Sequence, residues 1–206
     1  MTFDIYSKYY EPVEENMNLI LQAANLAKRA HAKQVRKFSG DPYITHCLRV
    51  ANKVMLLDGI TEEMVAAALL HDVIEDCDNE FVAELHKVMP ARVTNLVLEL
   101  TNQFTKKLYP NYNREKRKNL ENKRIATVSQ EAKIIKLCDR IDNLHDFIEY
   151  NELYPAYTHE SYGILAVCHN ANEDLKKELK SLLYWVDHSY KYNLFTKEEL
   201  KELCKS

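Results

Sequence analysis

Apolar residues return every three or four positions along most of the chain, as at Leu19, Ala23, Leu26, Ala27 and Ala30, and again at Ile134, Ile135, Cys138 and Ile141. Clean alternation is missing. A period near 3.6 belongs to helices with one buried face, so the pattern predicts an all-α bundle. The predicted helices cover about 13–34, 45–57, 61–74, 79–88, 91–101, 112–128, 131–150, 156–170, 172–188 and 197–204. Start signals support three boundaries: Thr61 ahead of Glu63 and Met64, Pro90 at a helix start, and Ser129 just before the seventh segment. Gly40, Asp41 and Pro42 mark a loop. Leu175, Leu179, Leu182, Leu183 and Val186 form an apolar stripe, read as core in preference to a dimer face. Neither a repeat nor a linker is visible, so one domain over 1–206 is expected.

Composition narrows the function classes. With 206 residues, 46% of them hydrophobic, the chain suits one buried core, and a formal charge of −3 signals no general affinity for nucleic acid. Only Gly40, Gly59 and Gly163 are glycines, too few and too scattered for a Walker loop or a dinucleotide fingerprint. The apolar run Val65 to Leu70 is far short of the roughly 20 residues that span a bilayer, so a cytoplasmic protein without a membrane partner is expected. Five widely spaced cysteines, an odd number, read as reduced thiols. Charge is uneven: Lys106 to Arg124 holds eight basic and two acidic residues, a solvated face first and a steering surface for polyanions second.

The densest chemical signal is His71-Asp72-Val73-Ile74-Glu75-Asp76, four ionisable groups at the end of an apolar helix. On an unbroken helix, residues four apart share a face, which sets His71 near Glu75 and Asp72 near Asp76. Alone, such a run reads as a solvated helix end. Two further segments change that: Tyr43-Ile44-Thr45-His46 starts one apolar helix with a histidine, and Cys138-Asp139-Arg140-Ile141-Asp142-Asn143 buries an aspartate in another. Two imidazoles and two carboxylates make a nitrogen and oxygen donor set that favours Mn²⁺ or another octahedral divalent ion over a thiolate zinc site. Arg36 and Lys37, on the loop before His46, are cations suited to phosphate, and otherwise solvent-exposed basic residues.

A histidine, an adjacent His-Asp pair and a later helical aspartate, in this order, resemble the ligand set of HD-superfamily metal phosphohydrolases. The likeness extends to Ala30-His31, Gln34, Arg36-Lys37, Ser39 to Ile44, His71 to Asp76, Lys136-Leu137, Asp139-Arg140 and Asn143, which resemble the hydrolase half of RelA/SpoT homologues over about residues 20–150. That resemblance implies an HD-domain helical bundle of about ten helices; it ends near residue 150, and the helical pattern alone reads 151–206 as packing helices. It implies Mn²⁺ held by His46, His71, Asp72 and Asp139, with Glu75 and Asp76 orienting the attacking water or taking its proton. It also implies Arg36 and Lys37 on the phosphates and Asn143 at the nucleoside sugar. The expected reaction removes the 3′-pyrophosphate of (p)ppGpp, a small alarmone hydrolase. Only 63 residues follow Asn143, too few for a synthetase domain, so hydrolysis alone is expected.

Cys47, Cys77, Asp142, His145 and Asp146 depart from the family's usual pattern. A carboxylate at Asp142 either repels a polyphosphate or faces away from it. Two alternatives therefore stand: an HD phosphohydrolase of another nucleotide, such as NADPH, a dNTP or a modified RNA 3′ end, and a non-catalytic nucleotide-binding or partner-binding domain. The second predicts loss of at least one of the six groups, and all six are present. Nucleic acid is otherwise not an expected partner, and the oligomeric state is left open.

Overall fold

The computed structural model describes residues 18–150 and 155–192, and within them every long element is a helix. These are α1 Leu19–Ala30, α2 Ile44–Met55, α3 Glu62–Leu70, α4 Val73–Asp76, α5 Asn79–Val88, α6 Ala91–Leu100, α7 Arg114–Ile125, α8 Gln130–Glu149, α9 Pro155–Cys168 and α10 Glu173–Tyr192. The expected segment 197–204 and the start of the first expected helix, 13–17, lie outside the described residues. Among the described residues no helix is long and apolar enough to cross a membrane.

The bundle is built around α3. Every residue from Met64 to Leu70 is buried, which a helix apolar on all sides requires. Ala66, Ala67 and Ala68 lack side-chain bulk, so α1, α2 and α6 approach closely and α8 packs beside them. Thr61 caps α3 by accepting from Met64 N at 3.4 Å, and Ser129 caps α8 by accepting from Ala132 N at 3.1 Å, both as the sequence indicates. Pro90 stands at the N-cap of α6. The leucine stripe of α10 is core: Leu175, Leu179, Leu183 and Val186 are buried.

One expected helix, 61–74, is two. The α3 helix stops at Leu70, His71 and Asp72 form a turn, and α4 adds a single turn. In a continuous helix Ala68 O would accept from the Asp72 amide. Here the His71 ring Nδ1 reaches that same carbonyl at 2.8 Å and competes for it. The break turns His71 and Asp72 out of the apolar helix and toward the site.

The loop between α1 and α2 is similarly specified. Arg36 N donates to Asp41 O at 2.8 Å and Tyr43 N to Gln34 O at 2.9 Å, closing a tight turn with an isolated bridge between Val35 and Pro42. Gly40 sits at φ 76°, where a side chain is strained. This loop carries Arg36 and Lys37 to the mouth of the site.

Candidate metal centre

Four helices deliver the central groups. His46 lies in the first turn of α2, His71 and Asp72 at the α3–α4 break, and Asp139 halfway along α8. His71 Nε2 stands 3.0 Å from Asp72 Oδ2 and 3.8 Å from Asp139 Oδ1. His46 Nε2 stands 3.7 Å from Asp72 Oδ2 and 3.4 Å from Asp139 Oδ1. One donor atom each from His46, His71 and Asp72 falls within a 4.8 Å cluster. The sequence places these four together, and they meet.

The two imidazoles test whether an ion fits. His46 Nε2 and His71 Nε2 are both buried without a hydrogen-bond partner, an expensive condition for a polar nitrogen unless a ligand takes the lone pair. Their other nitrogens are occupied: His71 Nδ1 donates to Ala68 O, and His46 Nδ1 donates to Asp142 Oδ2 at 2.7 Å. Both rings therefore present Nε2 to the same point, beside two carboxylates. That donor set fits a divalent cation.

Charge is already distributed for one. Burial works against ionised His71, but Asp72 and Asp139 outweigh it and hold the ring well above the usual imidazole range. Burial likewise opposes the Asp139 carboxylate, while Lys136, its Nζ 3.0 Å from Oδ2, and the two imidazoles keep it well below the carboxylate range. Such an anion-rich cluster holds protons where a dication would otherwise sit. Tyr43 donates its hydroxyl to Asp72 Oδ2 at 2.6 Å and stacks on the buried His31 ring. Burial first, then Asp72, keep that phenol protonated.

The remaining expected residues divide. Asn143 donates Nδ2 to Asp139 Oδ1 at 2.6 Å and accepts from Arg36 Nη2 at 2.8 Å, so both lie against the centre. Arg36 spends its Nε and Nη2 on Asp146 Oδ2, at 2.9 and 2.7 Å, rather than presenting a whole fork outward. Arg36, Lys37, Asn143, Phe147 and Tyr157 line a cavity of about 480 Å³ beside the cluster. Because the helix breaks at His71, Glu75 does not pair with it; both Glu75 oxygens accept from Asn102, at 2.6 Å from N and 2.8 Å from Nδ2. Asp76 is pushed up to about 6 by partial burial, then by Asp72 and Glu75.

Asp142 neither faces away nor meets the cavity as a bare charge. It is buried between His46 and Arg49, whose Nε and Nη2 reach its two oxygens at 2.7 and 2.8 Å. Tyr43, Arg49, Lys136 and Asp146 are the partners not assigned from the sequence. Spacing held a clue: Arg49 follows His46, and Asp142 follows Asp139, by three residues, which puts each on its neighbour's helix face. In the basic segment, Arg114 and Lys118 both pair with Glu160 and Arg124 with Glu121. Cys47, Cys77, Cys138 and Cys168 are free thiols.

Comparison with known proteins follows the same lines. Residues 23–170 match the HD domain family. The chain is 41% identical over 131 residues to guanosine-3′,5′-bis(diphosphate) 3′-pyrophosphohydrolase MESH1 of Xenopus tropicalis, covering 62% of this chain and 69% of the relative. It is 40% identical over 130 residues to the Homo sapiens protein of that name, covering 62% of this chain and 68% of the relative. A solved structure of a metazoan orthologue of SpoT, described as hydrolysing ppGpp, matches with TM-score 0.71 and 27% identity, covering 82% of this chain and 96% of that one.

Proposed function

The chain belongs to the HD domain family, and from that premise we propose that it removes the 3′-pyrophosphate of (p)ppGpp with Mn²⁺ as its metal. The observation that carries the metal reading is the pair of buried, unpartnered Nε2 atoms converging with Asp72 and Asp139. The substrate comes from the relatives that bear this activity in their names.

His46, His71, Asp72 and Asp139 would hold the ion, the two carboxylates matching its charge. A divalent ion held there would supply Lewis acidity, making water easier to deprotonate and drawing charge from a phosphoryl oxygen. Water adds to the phosphorus attached to O3′, the P–O3′ bond breaks, and O3′ leaves with a proton, giving GDP or GTP and pyrophosphate. Asp76, with a pKa pushed up to about 6, is suited to accept the water's proton near neutral pH. Glu75, fixed by Asn102 through both carboxyl oxygens, orients the α4 turn beside it. Asn143 faces the sugar while bracing Asp139. Arg36 and Lys37, at the cavity wall, meet the phosphates.

The test is Mn²⁺-loaded protein incubated with ppGpp beside dNTPs and NADPH, with products resolved by anion exchange. GDP and pyrophosphate from the parent, absent with Asp72→Ala, is the expected result. Intact ppGpp with another nucleotide consumed would overturn the substrate, and equal turnover by Asp72→Ala would overturn the site.

A further inference from the structure

Asp142 departs from the family pattern, yet it is buried and held by His46 and Arg49 together. We propose that Asp142 and Arg49 are positioning residues for the metal centre: Asp142 accepts the hydrogen bond donated by His46 Nδ1 and so aims Nε2 at the ion, and Arg49 locks Asp142 in place. The inference rests on the metal-hydrolase reading above and goes beyond it in assigning this pair a task.

The geometry carries it. His46 is completely buried and its ring has two nitrogens to satisfy. Nδ1 lies 2.7 Å from Asp142 Oδ2, and an ionised carboxylate only accepts, so Nδ1 bears a proton, and once the ring is neutral the lone pair is on Nε2. The opposite tautomer would place a proton at the converging point and exclude a cation. His71 reaches the same tautomer through a backbone carbonyl, Ala68 O, and needs no side chain for it. His46 has no such carbonyl bond, so its orientation depends on Asp142.

A buried carboxylate beside the Asp72 and Asp139 charges needs a counterion. Arg49 supplies it with two parallel bonds, the fork geometry that fixes a carboxylate's plane as well as its position. Arg49 Nη2 also reaches Asp146 Oδ1 at 3.0 Å, and the other oxygen of Asp146 holds Arg36. The circuit continues through Asn143 to Asp139. One ligand, His46, is thereby tied to another, Asp139, through the arginine of the cavity wall. The charge that a polyphosphate would meet at Asp142 is spent inside the protein.

The experiment measures Mn²⁺ binding directly, from the electron paramagnetic resonance signal of the free ion, on the full chain with no substrate present. Asp142→Leu, which removes the acceptor, is expected to weaken Mn²⁺ binding about 10–100-fold. Asp142→Asn keeps an acceptor oxygen without the charge and is expected to recover part of that loss, as is Arg49→Lys relative to Arg49→Met. A merely structural role would lower the melting temperature of all four alike without this order in Mn²⁺ affinity. Should Asp142→Leu misfold, the Asn and Arg49 variants carry the same comparison. Asp142→Leu binding Mn²⁺ as the parent does, while Asp72→Ala does not, would overturn this proposal alone. A parent that takes up no Mn²⁺ would overturn the metal reading with it.

Discussion

At Asp76 the local charges set a measurable pH response. Partial burial, Asp72 and Glu75 all disfavour its ionised form and push it up to about 6 in the metal-free protein. The ionised form is the one able to accept a proton, so kcat should fall as pH drops through the acid limb. A bound dication favours the carboxylate, so the limb of the loaded enzyme lies at or below that value. Asp76→Asn should lower kcat by about 10²–10⁴-fold while metal content, measured by mass spectrometry, stays at the parent level. Loss of the metal together with the rate would instead make Asp76 a ligand. That His46, His71, Asp72 and Asp139 come together is legible from residue type and order, because the family resemblance is carried by an ordered list of residues. The place of Asp142 is not, because its sign of influence depends on whether Arg49 and His46 stand across from it, and a one-dimensional spacing does not show what faces a residue from another helix.

Among the elements, the helices and most of their limits follow from the 3.6 period and from polar caps such as Thr61 and Ser129. The break at His71 does not, since Ala66 to Leu70 runs into His71 without glycine or proline; the ring's bond to Ala68 O makes it. The loop before α2 is the opposite case, legible from Gly40, Asp41 and Pro42. Its Gly40 at φ 76° has open space around an added Cβ, so Gly40→Ala tests backbone strain alone. The expected cost is roughly 1–2 kcal/mol in chemical denaturation. Since this loop carries Arg36, KM should rise more than kcat falls; a fall in kcat alone would detach the loop from substrate binding. Asp146→Ala acts on the same element through the buried Arg36 pair, whose side chains are each about 10% exposed. Removing one partner of such a pair costs about 3–5 kcal/mol where water is excluded, and less here beside the cavity, and the same denaturation measurement reads it.

For the whole molecule, the site joins α2, the α3–α4 turn and α8, which also pack through the apolar core and, between α2 and α8, through Arg49 with Asp142 and Asp146. An ion held by all of them binds the folded state and finds no comparable site in the unfolded chain, so it must stabilise the fold by linkage. At a free concentration about 100 times Kd the gain is about 2.7 kcal/mol. For a domain of this size each kcal/mol moves Tm by about 2–4 °C, which predicts a rise of about 5–11 °C when Mn²⁺ is added to metal-free protein. A chelator should reverse it. Asp72→Ala should abolish the rise without unfolding the chain, because Asp72 lies at a turn and removing it relieves an anion-rich cluster instead of opening the core. A rise of equal size in Asp72→Ala would mean that Mn²⁺ binds elsewhere. Lowering the pH should shrink the rise in the parent, since His46 and His71, held above their usual range by the neighbouring carboxylates despite burial, then keep the protons that the ion must displace.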